Sequence, residues 1–214
     1  MFDLNKNLPV ILWAHYRSGS TVLMLLLKKY YDLNFYKNEM EIFKYKLPPP
    51  YRMLGKYSFK VMYDDRANDV VNYILNNNIE YNHVLLFRES QYDSTISHEF
   101  AKRTNVWDIY DEAKGYSLDN LTGPINSDID LVIKDTNKKL INLDYVYLKL
   151  LNAGKKVTLT NYESIEDVLQ EFAKKPTVNK HYDLLHNIEL EIKCENILND
   201  FCFYKDYLKT TDNI

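Results

Sequence analysis

The chain has 214 residues, 46% of them apolar and 27% charged, and a formal net charge of −3 at pH 7. That balance suits a folded α/β-sized domain with a sizeable core and excludes a disordered chain. The slight acid excess also removes the broadly basic face that general nucleic-acid binding requires, so any anion must be held by a local site.

Two cysteines, Cys194 and Cys202, occur without a CxxC pair or a Cys/His cluster. A disulfide framework and a structural metal are therefore not expected, and a reducing compartment fits. The longest apolar run, Val22 to Leu27, is too short to span a bilayer. Pro9 to Ala14 is too brief for a signal-peptide core and lacks a basic lead, so the expectation is a cytoplasmic protein.

In chain order, Pro9 to Ala14 is a continuous apolar run, the pattern of a strand buried on both faces of a parallel sheet. Ser20 to Tyr31 reads as a helix whose first two turns, Val22 to Leu27, are apolar on every side and belong in the interior. Lys44 to Lys56 is basic and contains Pro48, Pro49 and Pro50, which rule out a helix interior or central strand and predict a loop or lid. Tyr57 to Tyr63 reads as a second strand. Arg66 to Asn77 carries Val70, Val71, Ile74 and Leu75 on one helical face. His83 to Phe87 is a third buried strand, and a helix is expected from Tyr92 to about Arg103.

Residues 105 to 135 are turn-rich and lack a steady period. A helix from about Thr136 to Asn152 leads through Gly154 to a fourth strand, Lys156 to Asn161. Ser164 and Asp167 have capping-box spacing and should open a further helix. Tyr182 to Phe203 again has helical spacing. This alternation implies one α/β domain over residues 1–214, a mostly parallel sheet covered by helices on both faces, with ligands beyond the carboxyl ends of the strands.

The loop after Ala14 is thus the first place to look. His15, Tyr16, Arg17, Ser18, Gly19, Ser20 and Thr21 lie between a buried strand and a buried helix. The first-turn N–H groups of that helix lack intrahelical partners and carry the positive end of its dipole. Gly19, one of five glycines, permits a tight turn and close approach to a ligand. Ser18, Ser20 and Thr21 add hydroxyls and Arg17 a permanent charge with a forked donor set. Together these form an anion cradle at a helix N-terminus; the bland alternative is a Ser/Gly turn that caps a helix. The GxxxxGK[ST] spacing of a nucleotide kinase, with its Lys and its magnesium-binding hydroxyl, is missing.

Arg-Ser-Gly-Ser-Thr after a strand resembles the 5′-phosphosulfate loop of sulfotransferases that use 3′-phosphoadenosine 5′-phosphosulfate (PAPS) and need no metal. Arg88 at the end of the third strand and Ser97 on the next helix resemble the pair with which that family binds the 3′-phosphate. The spacing is one residue longer than the commonest pattern, and Ser94 is the alternative. Ser97, Ala101, Thr104 and Trp107 are spaced as in the short bacterial type, the trehalose 2-sulfotransferases and their relatives. Lys156 to Ile165 resembles the family strand that ends in Tyr-Glu-Asp-Leu, and this implies adenine contact for Tyr162. Ser164 departs from the Asp of that motif, Asn161 stands where Arg is frequent, and the glycine-rich C-terminal segment of the cytosolic enzymes has no counterpart. The resemblance covers roughly residues 9 to 107 and 140 to 175, and it implies a P-loop-like sulfotransferase fold.

Sulfuryl transfer requires alignment and stabilisation of charge on the transferring and leaving oxygens. Arg17 is suited to neutralise charge on the bridging oxygen, with the loop N–H groups on the sulfuryl oxygens. The resemblance implies a glutamate base shortly after the first helix: Glu41, two before Phe43, with Glu39 as the alternative and solvated surface carboxylates as the bland reading. It also brings Lys60, in the Lys-Val-Met-Tyr run of the second strand, near the sulfuryl group. His98, His181 and His186 form no metal-ligand spacing, and His15 reads as a packing residue.

The expected function is transfer of a sulfuryl group from PAPS to a hydroxyl acceptor, a small molecule or carbohydrate, by in-line displacement with a carboxylate base. A protein of another class, a silent nucleotide-binding or structural relative of the fold, would bind the product nucleotide PAP without turnover. The acceptor would be lined by Pro48 to Gly55 and by residues 105 to 135, where Tyr51, Trp107, Tyr110 and Tyr116 offer rings to a sugar. The sequence names neither the acceptor nor the oligomeric state.

Overall fold

A computed structural model describes residues 2–36, 51–62, 66–104, 129–165, 168 and 186–211. Their four strands are β1 (Val10–Ala14), β2 (Phe59–Met62), β3 (Asn82–Phe87) and β4 (Val157–Asn161), and the helices are α1 (Ser20–Tyr31), α2 (Arg66–Asn76), α3 (Gln91–Thr104), α4 (Ile129–Asn152), α5 (Ile188–Cys194) and α6 (Cys202–Thr211). The strands form one sheet in the order β2-β1-β3-β4, every neighbouring pair parallel.

The continuous apolar runs form strands because both faces of this sheet are covered. Ile11, Trp13, Phe59, Val61, Leu85 and Phe87 face α2, α4 and the C-terminal elements, where Val70, Ile74, Leu143, Leu150 and Phe203 complete one core. Val10, Leu12, Ala14, Val84 and Leu86 face Leu23, Met24 and Leu27 of α1 in the other. Each fully buried Leu, Ile or Phe here contributes about 1.5–3 kcal/mol of burial free energy. The connection from β1 to β2 and the next one back across β1 to β3 carry α1 and α2 on opposite faces, as the two cores show. A smaller cluster joins Ile96 and Phe100 of α3 to Leu190 and Cys194 of α5.

The expected strands are present, with β2 shorter than the predicted span. α4 starts at Ile129, nearly two turns before Thr136, and its first residues Ile129, Val132 and Ile133 pack, partly buried, against the cluster of α3 and α5. The predicted helical stretch to Phe203 is broken: α5 ends at Cys194, Asn196 is left-handed (φ 61°), a 3₁₀ turn follows, and α6 runs on to Thr211. After β4 the chain enters a 3₁₀ turn at Glu163–Ile165, and the cap is Asn161, whose Oδ1 accepts the Ser164 N–H at 2.7 Å. The helix that Ser164 and Asp167 are expected to open, with Asp167 itself, lies outside the described residues, as do residues 44–50 of the expected lid. No described helix is long and apolar enough to cross a membrane.

From β1 the connections lead to β2 on one side, and from β3 to β4 on the other. The order reverses between β1 and β3, and the crevice outside their carboxyl ends is where a sheet of this kind binds ligands.

Candidate functional site

β1 ends at Ala14 in the middle of the sheet, and the chain must turn at once into α1. It does so through two left-handed residues, Arg17 (φ 63°) and Gly19 (φ 77°). Gly19 adopts that conformation at no steric cost, whereas Arg17 stores strain there. Gly19 stands at the N-cap of α1 and offers no capping side chain, so the helix presents its first-turn N–H groups toward the crevice.

The hydroxyls divide their work. Ser18 is fully buried and donates to the His15 carbonyl at 2.7 Å, closing the loop on itself. Ser20 Oγ reaches Met62 Sδ at 3.5 Å. Thr21 Oγ1 accepts from Lys60 Nζ at 2.7 Å, which brings the β2 lysine, 7% exposed, against the start of α1.

α3 supplies the facing wall. Ser94 and Ser97, one helical turn apart, both face the loop: Ser94 Oγ donates to the Tyr16 carbonyl at 3.1 Å, and Ser97 Oγ accepts from Arg17 Nε at 2.7 Å. Ser97 therefore meets Arg17, eighty positions away in the chain, while Arg88 sits among other partners. The Arg88 guanidinium lies 4.9 Å from the centre of the Tyr162 ring and 3.6 Å from both Asp93 and Glu163. Those two separations are too long for hydrogen bonds, and among the described residues buried Arg88 Nε has no acceptor. Tyr162 holds its place through its N–H to the Phe87 carbonyl at 2.9 Å.

His15 proves to be more than packing. It is 2% exposed; its Nδ1 donates to the Tyr16 carbonyl at 2.9 Å and its Nε2 accepts the Arg88 N–H at 3.1 Å. Burial pushes its pKa down to about 4, with Lys139 and Arg88 adding to the effect, so the ring is neutral at pH 7. Glu163 was also not assigned from sequence. Its carboxylate accepts the N–H groups of Glu89 and Ser90 at 2.8 and 3.2 Å, on the turn that opens α3.

Beside the loop, a cavity of about 240 Å³ lies between α3 and α4, lined by Tyr16, His98, Lys102, Asp135 and Lys139 among others. His98 stacks on Tyr16 with ring centres 5.5 Å apart, and Lys139 lies 5.6 Å from the same ring while pairing with Asp135 at 2.5 Å. Burial, reinforced by Lys139 and Lys102, lowers His98 to about 3. The Asp135/Lys139 spacing is a legible helical ion pair, but nothing in the sequence aims it at the Arg17 loop.

Tyr51, offered as a sugar platform, instead stacks on Tyr73 with ring centres 4.1 Å apart. Glu41, Glu39, Trp107, Tyr110, Tyr116 and His181 lie outside the described residues. His186 pairs with Glu191 at 3.0 Å. Among the described residues no group of three His, Cys, Asp or Glu side chains is placed to hold a metal ion.

The crevice thus gathers Arg17, Lys60 and Arg88 around uncapped helix N–H groups, a chemistry suited to a polyanion. No protein-family model matches the chain, and neither a curated protein nor a solved structure matches it.

Proposed function

We propose that this chain is a sulfotransferase that moves a sulfuryl group from PAPS to a hydroxyl acceptor. The observation that carries the reading is Arg88 Nε at the end of the strand beside the Arg17–Thr21 loop: it is a buried guanidinium N–H with no hydrogen-bond acceptor among the described residues, and the nearest carboxylate, Glu163, stands off at 3.6 Å. A buried charged donor without an acceptor is costly, and a phosphate oxygen would satisfy it.

In this reading the loop N–H groups, with Ser20 and Thr21, hold the 5′-phosphosulfate. Arg88 takes the 3′-phosphate, with Ser94 and Ser97 on the adjoining face of α3, and Tyr162 lies against the adenine. The acceptor oxygen attacks sulfur as the bond from sulfur to the bridging phosphate oxygen breaks, and PAP departs. Arg17 and Lys60 neutralise the charge that develops on the leaving and transferring oxygens. The acceptor proton passes to a carboxylate, Glu41 or Glu39, a contribution of about 10²–10⁴-fold. A carbohydrate hydroxyl is the acceptor class the resemblance suggests, and no metal takes part.

A second reading has its own support: Arg17 is bonded to Ser97 and Lys60 to Thr21, a cluster satisfied within itself. It makes the chain a silent protein that binds PAP without turnover. Calorimetry with PAP tests both, and absence of binding overturns them. If PAP binds, labelled PAPS offered with a panel of sugars, lipids and phenols separates them: transfer establishes the enzyme, binding alone the silent protein. Glu41→Gln is expected to keep PAP binding and lose transfer.

A further inference from the structure

At the other end of the sheet, before β3 and β4 begin, a cavity of about 510 Å³ lies between the N-terminal segment, the loop entering β3 and the α4–β4 turn. Its wall is pre-formed by one side chain: Asn82 Oδ1 accepts the Asn5 N–H at 2.9 Å, and Asn82 Nδ2 donates to the Asn5 and Leu8 carbonyls at 2.8 and 2.9 Å. Ligand pockets of small molecules fall in this size range.

The cavity is lined by His83, which is 2% exposed. Its Nδ1 lies 3.2 Å from the indole Nε1 of Trp13, which can only donate, so Nδ1 must accept and the proton of the neutral ring sits on Nε2. Among the described residues Nε2 has no hydrogen-bond partner. Burial holds the ring neutral by lowering its pKa to about 4, with Lys155 adding to the effect. One N–H donor is therefore left without an acceptor among the described residues, and buried donors of that kind are uncommon.

Charges of both signs line the same cavity, with Lys156 and Asp3 at its exposed rim. Lys155 pairs with Glu80 at 2.5 Å and Lys156 with Asp3 at 2.7 Å, and all four residues line the cavity. A lone anion entering here meets Glu80 and Asp3, and a lone cation meets the two lysines and the His83 N–H. A molecule with both charges exchanges partners with the ion pairs and leaves none unpaired. The C-terminal end of α4, at the same place, favours the cationic end of such a ligand. Tyr81 commits its hydroxyl to the Gly55 N–H at 2.5 Å and adds an aromatic ring to the lining, beside Leu4.

We propose that this cavity is a binding site for a free α-amino acid, with its carboxylate on His83 Nε2 and Lys155 and its ammonium toward Glu80 and Asp3. The site does not rest on sulfuryl transfer, since His83 near the start of β3 and Arg88 just past its end are five residues of extended chain apart, roughly 16 Å.

The test is titration of the ¹⁵N-labelled full chain with each protein amino acid singly, with acetate and with methylamine, following the His83 Nε2 resonance and the heat of binding. At least one amino acid is expected to shift that resonance and to bind about tenfold more tightly than acetate or methylamine. Lys155→Met, at the rim, is expected to weaken that binding about tenfold, and His83→Phe to abolish it. Both variants should retain the PAP affinity of the parent chain. If no amino acid moves the His83 signal, the proposal is overturned and a buried water is the acceptor. If acetate binds as tightly as any amino acid, the site is a simple anion site and the proposal is likewise overturned. Should His83→Phe fail to fold, Lys155→Met alone decides the assignment.

Discussion

The backbone N–H of Arg88 donates to Nε2 of His15 at 3.1 Å, so the loops that follow the two central strands are joined by a neutral imidazole. The other ring nitrogen holds the Tyr16 carbonyl at 2.9 Å, immediately before the strained Arg17. One side chain thereby sets the spacing between the uncapped end of α1 and the Arg88 guanidinium. His15→Ala is expected to destabilise the chain by about 1–3 kcal/mol, because it strands a buried N–H. It should also weaken PAP binding about tenfold. His15→Gln, whose Oε1 can accept the same N–H, should recover part of both in urea denaturation and calorimetry.

The same histidine gives stability a pH dependence of definite sign. The folded chain holds His15 near 4 against an ordinary 6.5. Between those values the unfolded chain takes up a proton that the folded chain refuses, so stability is full above pH 6.5 and falls as pH drops toward 4. For His15 alone the loss at pH 5 is about 2 kcal/mol. His83, also near 4, adds in the same direction. Urea titrations at pH 7.5 and pH 5 measure the difference, and His15→Gln should reduce it.

Arg17 holds its guanidinium in a backbone conformation that disfavours any side chain. Arg17→Gly and Arg17→Ala both remove the guanidinium and its bond to Ser97. Glycine, normally the less stable of the two, is expected here to be more stable by about 1 kcal/mol, because φ 63° costs it nothing. Equal stabilities in urea would show that the loop relaxes. Both variants should lose PAP affinity sharply.

Glu163 is expected to reveal a trade-off. Its carboxylate holds the turn into α3 and faces Arg88 at 3.6 Å, where it competes with any phosphate. Glu163→Gln should lower stability by about 1 kcal/mol through weaker bonds to the Glu89 and Ser90 N–H groups. It should at the same time tighten PAP binding about two- to fivefold. A fall in both would assign Glu163 to positioning Arg88 rather than opposing the ligand.

The sheet and its first loop are legible in the sequence because their signals are local. Val10 to Ala14 and Val84 to Phe87 are apolar throughout, since both faces of each strand are buried, and Ser20 to Tyr31 follows a break that contains Gly19. The start of α4 carries a local signal as well: Ile129, Val132, Ile133 and Thr136 keep helical spacing and pack toward α3 and α5, and the turn residues Gly123 and Pro124 just before them obscure it. The break after Cys194 is masked because Leu198 and Phe201 keep a helical spacing while the chain turns at Asn196. Within the site, residue types were readable and partnerships were not. Arg17 with Ser97, His15 with Arg88 and Lys60 with Thr21 are joined by the sheet alone, and no local pattern marks a contact across that distance.

The strand pairings carry a kinetic consequence. Ile11 pairs with Phe59 and with His83, and His83 pairs with Val157, so every ladder closes a long stretch of chain. Such non-local closure slows folding, because the entropy of each loop is lost before its contacts form. During synthesis the Arg17 turn emerges early, yet it cannot meet Ser97 until β3 and α3 have left the ribosome. The Arg17–Ser97 contact therefore arrives in one late step with the sheet itself, and a nascent chain shorter than that carries the loop without its facing wall.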